Sequence, residues 1–294
     1  MENNKVTSSQ NTDLLGDSYR SFVNLDHRVD RLEKMTKNME MRNFTAVRTR
    51  GIMPSEIVDK KVSASRLQVM LARTPGAIGC HFAQVAVMEE AERQGKHAWV
   101  MEDDLKFCAD LPERIAHMNK FCDTHPWDII WLGGTFHINP PYWHKDHPLA
   151  RDAECTDDPR MMRTYGCFCT YAYIVNRTSL RKVLEGLDSL LERSMGIDWA
   201  MIQLQPALHT YAYVPGCFTQ YDNMSDIGKG MTRFSGFAKL GPYWFAKHIE
   251  DFDPTTHNWH EANLEQQAVE HARRDIEEKA ERDEQRRLKR ARQV

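Results

Sequence analysis

The chain has no run of apolar residues approaching the thickness of a bilayer, so no transmembrane segment is expected. Its opening stretch, Met1 to Asp17, lacks the basic-then-apolar pattern of a secretory signal and is polar and rich in Asn and Ser, which predicts a disordered lead-in over 1–17. CxxC pairs are missing too. Seven cysteines, an odd number, are scattered through 294 residues, which argues against a disulfide framework or a structural zinc site and suits free thiols in a reducing, cytoplasmic setting. Neither sign of charge dominates: a formal net charge of −3 gives no general reason to expect nucleic acid as a partner. There is no internal repeat.

What the chain does have is a rhythm of short β-rich runs and amphipathic helices, the pattern of an α/β protein with a mainly parallel, Rossmann-like sheet flanked by helices. Strands are expected at Tyr19 to Leu25, Phe44 to Arg48, Ala98 to Met101, Trp127 to Leu132, Thr170 to Val175 and His209 to Val214. Helices are expected at Asp26 to Glu40, Gly76 to Gln94, Leu111 to Asp123, Ser179 to Leu191 and Asp198 to Leu204. Thr135 to Thr164 is rich in Pro, His and aromatic residues without a steady period, and Phe136, Tyr142 and Trp143 favour a binding loop there. A catalytic domain is expected over 18–259. Beyond it, 260–294 reads as a charged, solvated helix; a dimerising coiled coil is the sharper alternative, although Leu264, Val269, Ile276 and Leu288 keep no heptad.

The chemistry-bearing feature is Glu102-Asp103-Asp104, which directly follows the apolar run Ala98-Trp99-Val100-Met101. A strand ending in three acids aims carboxylates at the carboxyl edge of a sheet, where open α/β folds bind ligands. Hard cations such as Mn²⁺ or Mg²⁺ take carboxylate oxygens and complete their shells with water and substrate phosphates, so a diphosphate ligand is expected. Strand alternation would turn Glu102 and Asp104 to one face and Asp103 to the other. Asp104 is then the expected metal ligand, and Glu102 a ligand through the metal, its water or a ribose. The blander reading is that acids end strands and cap the next helix, as Asp103 or Asp110 could.

Several segments taken in order resemble family 25 glycosyltransferases, the group that includes lipopolysaccharide-modifying sugar transferases and collagen galactosyltransferases. Phe22 to Arg31, with Asn24-Leu25-Asp26, a basic pair and Asp30-Arg31, is similar to that family's opening strand and turn. Gly76-Ala77-Ile78-Gly79-Cys80 is similar to its Gly-x-Ile-Gly-Cys helix, and Glu102-Asp103-Asp104 to its acidic metal motif. Gly166 to Val175, Ile197-Asp198-Trp199 and Gln220 to Ile227 complete the series. One place departs: where the family usually carries Ser-His after the helix cysteine, this chain has Ala83-Gln84, with His81 one turn earlier. The resemblance implies a GT-A fold, Mn²⁺ or Mg²⁺, a nucleotide-sugar donor with UDP-sugar favoured, a glycan or glycoprotein acceptor, and inversion at the anomeric carbon.

Such a transfer needs the charge of the leaving diphosphate neutralised. Lys229 and Arg233, in a Gly-punctuated loop, would close over it, the bland reading being a solvated basic loop. Asn24, Asp26 and Arg28 at the end of the first strand, with Glu102 and Asp103, are the expected nucleotide contacts; capping by Asp26 and a surface Arg28 are the alternative. Inversion also needs a base for the acceptor hydroxyl. Asp198 is the expected base, against a plain helix N-cap, with Asp222 and Asp226 as further candidates for base or metal ligand. Trp199 and Tyr221 could stack on sugars, and His209 could ligate a metal, though a hydrogen-bonded core role suits it as well. A metal-dependent phosphohydrolase and a sugar-binding scaffold without turnover are the competing classes; the former would want more clustered His and Asp than the sequence supplies.

Overall fold

The computed structural model describes residues 13–57, 63, 75–136, 153–191, 196–214, 216–221, 223–227 and 230–232. In chain order the elements are β1 (Ser18–Asn24), α1 (Val29–Met41), β2 (Val47–Arg50), α2 (Pro75–Arg93), β3 (His97–Glu102), β4 (Leu105–Phe107), α3 (Leu111–Thr124), β5 (Ile129–Phe136), β6 (Ala153–Cys155), β7 (Met161–Thr164), β8 (Cys167–Val175), α4 (Leu180–Leu190), α5 (Ile197–Leu204), β9 (Thr210–Tyr213), β10 (Phe218–Gln220), β11 (Asn223–Ser225) and β12 (Gly230–Thr232). Among the described residues no helix is long and apolar enough to cross a membrane.

An eight-stranded sheet of order β2-β1-β3-β8-β5-β9-β7-β6 forms the centre. It is mixed: six strands point one way, while β7 and β8 run against them. The α/β class with a mainly parallel sheet expected from the sequence is therefore present, with antiparallel β8 wedged between β3 and β5. Strand alternation feeds two cores. Trp99 and Met101 face a layer built with α1 and α3 (Met35, Met39, Ile115, Met118, Phe121), and Ala98 and Val100 face a layer built with α2, α4 and α5 (Val87, Met88, Val183, Leu187, Met201). Burying an apolar side chain of this size contributes about 1.5–3 kcal/mol, so helices on both faces hold the strand ends in place.

Several boundaries move for identifiable reasons. The first helix begins at Val29, not Asp26, because the Asp26 carboxylate pairs with Arg48 and Arg50 instead of capping helix N–H groups. The second strand begins at Val47, not Phe44: the chain turns at Asn43 (φ 47°), Phe44 N–H donates back to Met39 O, and the Phe44 ring packs edge-on against Trp99 at 5.3 Å. The supposed lead-in 1–17 is corrected at its end. Leu14 is fully buried in the core, and Ser18 Oγ donates to its carbonyl at 2.6 Å. Part of the stretch Thr135 to Thr164 is sheet, as β6 and β7; Tyr142, Trp143, residues 1–12 and the tail 260–294 lie outside the described residues.

Candidate functional site

The sheet topology picks out one location. From β1 the chain crosses to β2 on one side, while β3 lies on the other side of β1, so the carboxyl ends of β1 and β3 form the point where connections diverge. Val23 is in register with Glu102, which places Asn24 and the acidic triplet side by side at this edge. A two-stranded ribbon, β4 with β10, then leaves the sheet and carries Gln220 back over the acids.

Glu102 and Asp104 do converge. The amide Nε2 of Gln220 donates to Glu102 Oε2 at 2.8 Å and to Asp104 Oδ1 at 2.9 Å. Asp103 faces elsewhere, accepting from Asn24 Nδ2 at 2.7 Å and from Arg31 Nη1 at 2.9 Å. The pairing matches the alternation argument, but its cause is different: β3 ends at Glu102, and a turn between β3 and β4, closed by Tyr221 N–H donating to Asp104 O at 3.0 Å, brings Asp104 round. Burial, followed by the neighbouring Asp104 and Asp198 charges, drives the Glu102 carboxyl well above its ordinary value. Burial also raises Asp103, with Arg31 pulling against it.

Asp198 stands next to this pair. It lies in the first turn of α5, whose N-cap is Gly196, so the capping alternative does not describe it. Its Oδ1 accepts from Thr170 N–H at 2.8 Å and Thr170 Oγ1 at 2.7 Å, which anchors the carboxylate to β8. Burial raises its pKa, and the two Thr170 bonds offset part of the rise. Gln84 links the two halves. Fully buried on α2, it donates to Thr170 O at 3.2 Å and lies 3.5 Å from Glu102 Oε1, while Tyr173 OH donates to its Oε1 at 2.9 Å. Gln84 thus sits in the middle of the cluster. His81 instead lines a cavity of about 210 Å³ between α2 and α4, together with Phe82, Leu187 and Leu191.

The two glycines of the α2 start are explained by close approach. A Cβ on Gly79 would lie 2.0 Å from Ile52 O, and one on Gly76 2.5 Å from Asp226 O, so only glycine lets the 51–53 loop and the 226–227 turn pack against the helix.

The remaining expected residues divide. Asn24 is buried, with its amide donating to Asp103 and to Arg28 O and its Oδ1 accepting from Arg48, so it orders the site from behind. Arg28 and Asp226 meet in an ion pair at the same edge. Asp26 stays on the rim in exposed pairs with Arg48 and Arg50. Tyr221 packs beneath Lys34 Nζ, 4.7 Å from its ring, and Trp199 stands edge-on to Phe168. His209 is exposed at the far strand β9, where its backbone holds Asp128, so it is neither a core histidine nor near the acids. Lys229, Arg233 and Asp222 lie outside the described residues.

Sequence reasoning missed Arg31, Gln84, Thr170 and Gln220 as site members. Arg31 carried a usable signal, since residues three apart on a helix share a face and Arg28 is already a candidate, and Gln84 and Gln220 stood in segments that the resemblance had singled out.

Among the described residues no group of three or more His, Cys, Asp or Glu is arranged to hold a metal ion. The donor set nevertheless fits a hard divalent cation of the Mg²⁺ or Mn²⁺ kind, which needs one or two carboxylates and draws its other ligands from water and phosphate. Glu102 and Asp104 already share one positive amide end. The chain matches no protein-family model and no curated protein sequence.

Proposed function

We propose that this protein is a metal-dependent glycosyltransferase of the family 25, GT-A type, moving a hexose from a nucleotide sugar, UDP-sugar favoured, to a hydroxyl of a glycan or glycoprotein with inversion. The observation that carries the reading is the convergence of Glu102 and Asp104 on a single amide nitrogen at the divergence point of the sheet, with the Asp198 carboxylate alongside.

Each residue has a task in that reaction. Glu102 and Asp104 would hold the cation, which when bound would supply positive charge to the departing nucleoside diphosphate as the sugar passes to the acceptor. Asn24 and Arg31 fix Asp103, so the acidic turn keeps its shape as ligands exchange. Asp198 takes the proton of the acceptor hydroxyl as that oxygen attacks the anomeric carbon. Thr170 binds Oδ1 and leaves Oδ2 outside that pair of bonds, and a burial-raised pKa suits a group that must retain a proton.

The test is incubation with a panel of nucleotide sugars and Mn²⁺. Release of nucleoside diphosphate, abolished in Asp104→Ala, supports the transferase. Release of inorganic phosphate would mark a phosphohydrolase, and binding without any release a scaffold; either result removes this reading.

A further inference from the structure

Arg28 and Arg31 bracket the first turn of α1, three positions apart and therefore on one side of the helix. Both turn to one carboxylate oxygen: Arg28 Nη1 bonds Asp226 Oδ2, and Arg31 Nη2 lies 3.6 Å from the same atom. His27 Nε2 stands 3.5 Å from the other oxygen. The two arginine side chains are each 13% exposed; both oxygens of the exposed Asp30 also hold Arg28, at 2.9 Å each, and the carboxylate that the two arginines share comes from a turn almost two hundred residues away.

Arg31 also reaches Asp103 at 2.9 Å and Asp104 at 3.4 Å, the acid that receives the Gln220 amide. Gln220 thus offers the positive end of an amide to the acids, and Asp226 a negative carboxylate to the arginines. A cation with a diphosphate has the same polarity in the same order. A diphosphate carries more charge and more oxygens than one carboxylate, so it can take Arg28 Nη1 and Arg31 Nη2, the two nitrogens that face Asp226, on separate oxygens.

We propose that Arg28 and Arg31 form the anion subsite for the donor's diphosphate, and that Asp226 is an internal stand-in which the diphosphate displaces. The identity of that ligand rests on the nucleotide-sugar reading above. The exchange is a side-chain event: the Asp226 backbone is packed hard against Gly76, so the carboxylate swings away while the turn keeps its seat.

Inorganic pyrophosphate is the probe, titrated into the full chain by calorimetry, once with EDTA and once with Mg²⁺. Asp226→Asn keeps the shape and removes the competitor, and should tighten pyrophosphate binding about fivefold, the worth of one partly exposed ion pair. Arg31→Gln should weaken it about tenfold or more, in the range of a charged hydrogen bond lost. A damaged fold cannot produce the gain, and thermal melts of both variants accompany the titrations. No change or weaker binding in Asp226→Asn, wild-type affinity in Arg31→Gln, or no pyrophosphate binding by any of the three proteins would overturn the proposal. Opposite shifts in the two variants without nucleotide-sugar turnover would leave the subsite standing and remove the transferase reading; turnover with an indifferent Asp226→Asn would do the reverse.

Discussion

Replacing Glu102 by Gln is expected to stabilise the metal-free protein at pH 8 while abolishing its response to a divalent cation. Glu102 and Asp104 each accept a bond of under 3 Å from one nitrogen, so these oxygens stand no more than about 6 Å apart, and two unit charges at that separation repel by about 3 kcal/mol at an effective dielectric of about 20. The substituted side chain would still accept from Gln220 but through a neutral oxygen, at a cost of about 1 kcal/mol. The net gain is about 1–2 kcal/mol, or about 3–6 °C in Tm for a domain of this size. The pH dependence has a definite sign. Because the folded state raises the pKa of Glu102, stability is intact below the ordinary value of 4.5 and is lost as pH rises from there towards the folded value. The advantage of Gln therefore grows across that interval and disappears at about pH 4. The assay is differential scanning fluorimetry of wild type and variant at pH 4 and 8, with EDTA or Mn²⁺. A variant less stable than wild type at pH 8 in EDTA, or one that gains as much from Mn²⁺ as wild type does, would refute the reasoning.

Other perturbations probe different parts of the molecule. Asp198→Asn keeps an oxygen for Thr170 and removes the proton acceptor, so turnover should fall by about 10²–10⁴-fold with donor affinity unchanged; activity within tenfold of wild type would mean another base. Gly79→Ala drives a methyl to 2.0 Å from Ile52 O and should cost about 1–3 kcal/mol in urea denaturation, less any helix-propensity gain, and a stabilised variant would contradict the packing described. His97 accepts from Arg177 N–H at 3.1 Å, and burial lowers its pKa to about 4. Its contribution is full above 6.5 and is lost as pH falls towards 4, about 3 kcal/mol in all; His97→Asn should flatten the acid limb of the stability profile, and an unaltered limb would show that His97 does not shape it.

The frame of the molecule was legible because its signals are local. Apolar spacing along α1 and α4 and the Ala98 to Met101 run state which faces are buried within one or two turns of chain, whereas α2 buries polar His81 and Gln84 beside Ala83, Val87 and Met88 and leaves Phe82, Val85 and Ala86 only partly covered. The acids were legible for the same reason, since they end a strand that announces itself. The partners of those acids were not. Gln220 meets Glu102 across 118 positions and Arg31 meets Asp103 across 72, and no periodicity encodes such a meeting. Short strands such as β4 and β10, three residues each, carry no pattern, yet they aim Asp104 and Gln220. The reversed strand β8 was placed as a strand from its composition, but its direction depends on where the preceding chain returns to the sheet.

The long span between Glu102 and Gln220 has a consequence for how the protein is made. At translation speeds of about 5–20 residues per second, the strand ends that bear the acids emerge on the order of ten seconds before the glutamine that bridges them. Through that interval a nascent chain carries a crowded edge of carboxylates with its ribbon still unbuilt. A product cut short ahead of position 220 would keep both helical layers next to those strands and lack the hand that closes over them.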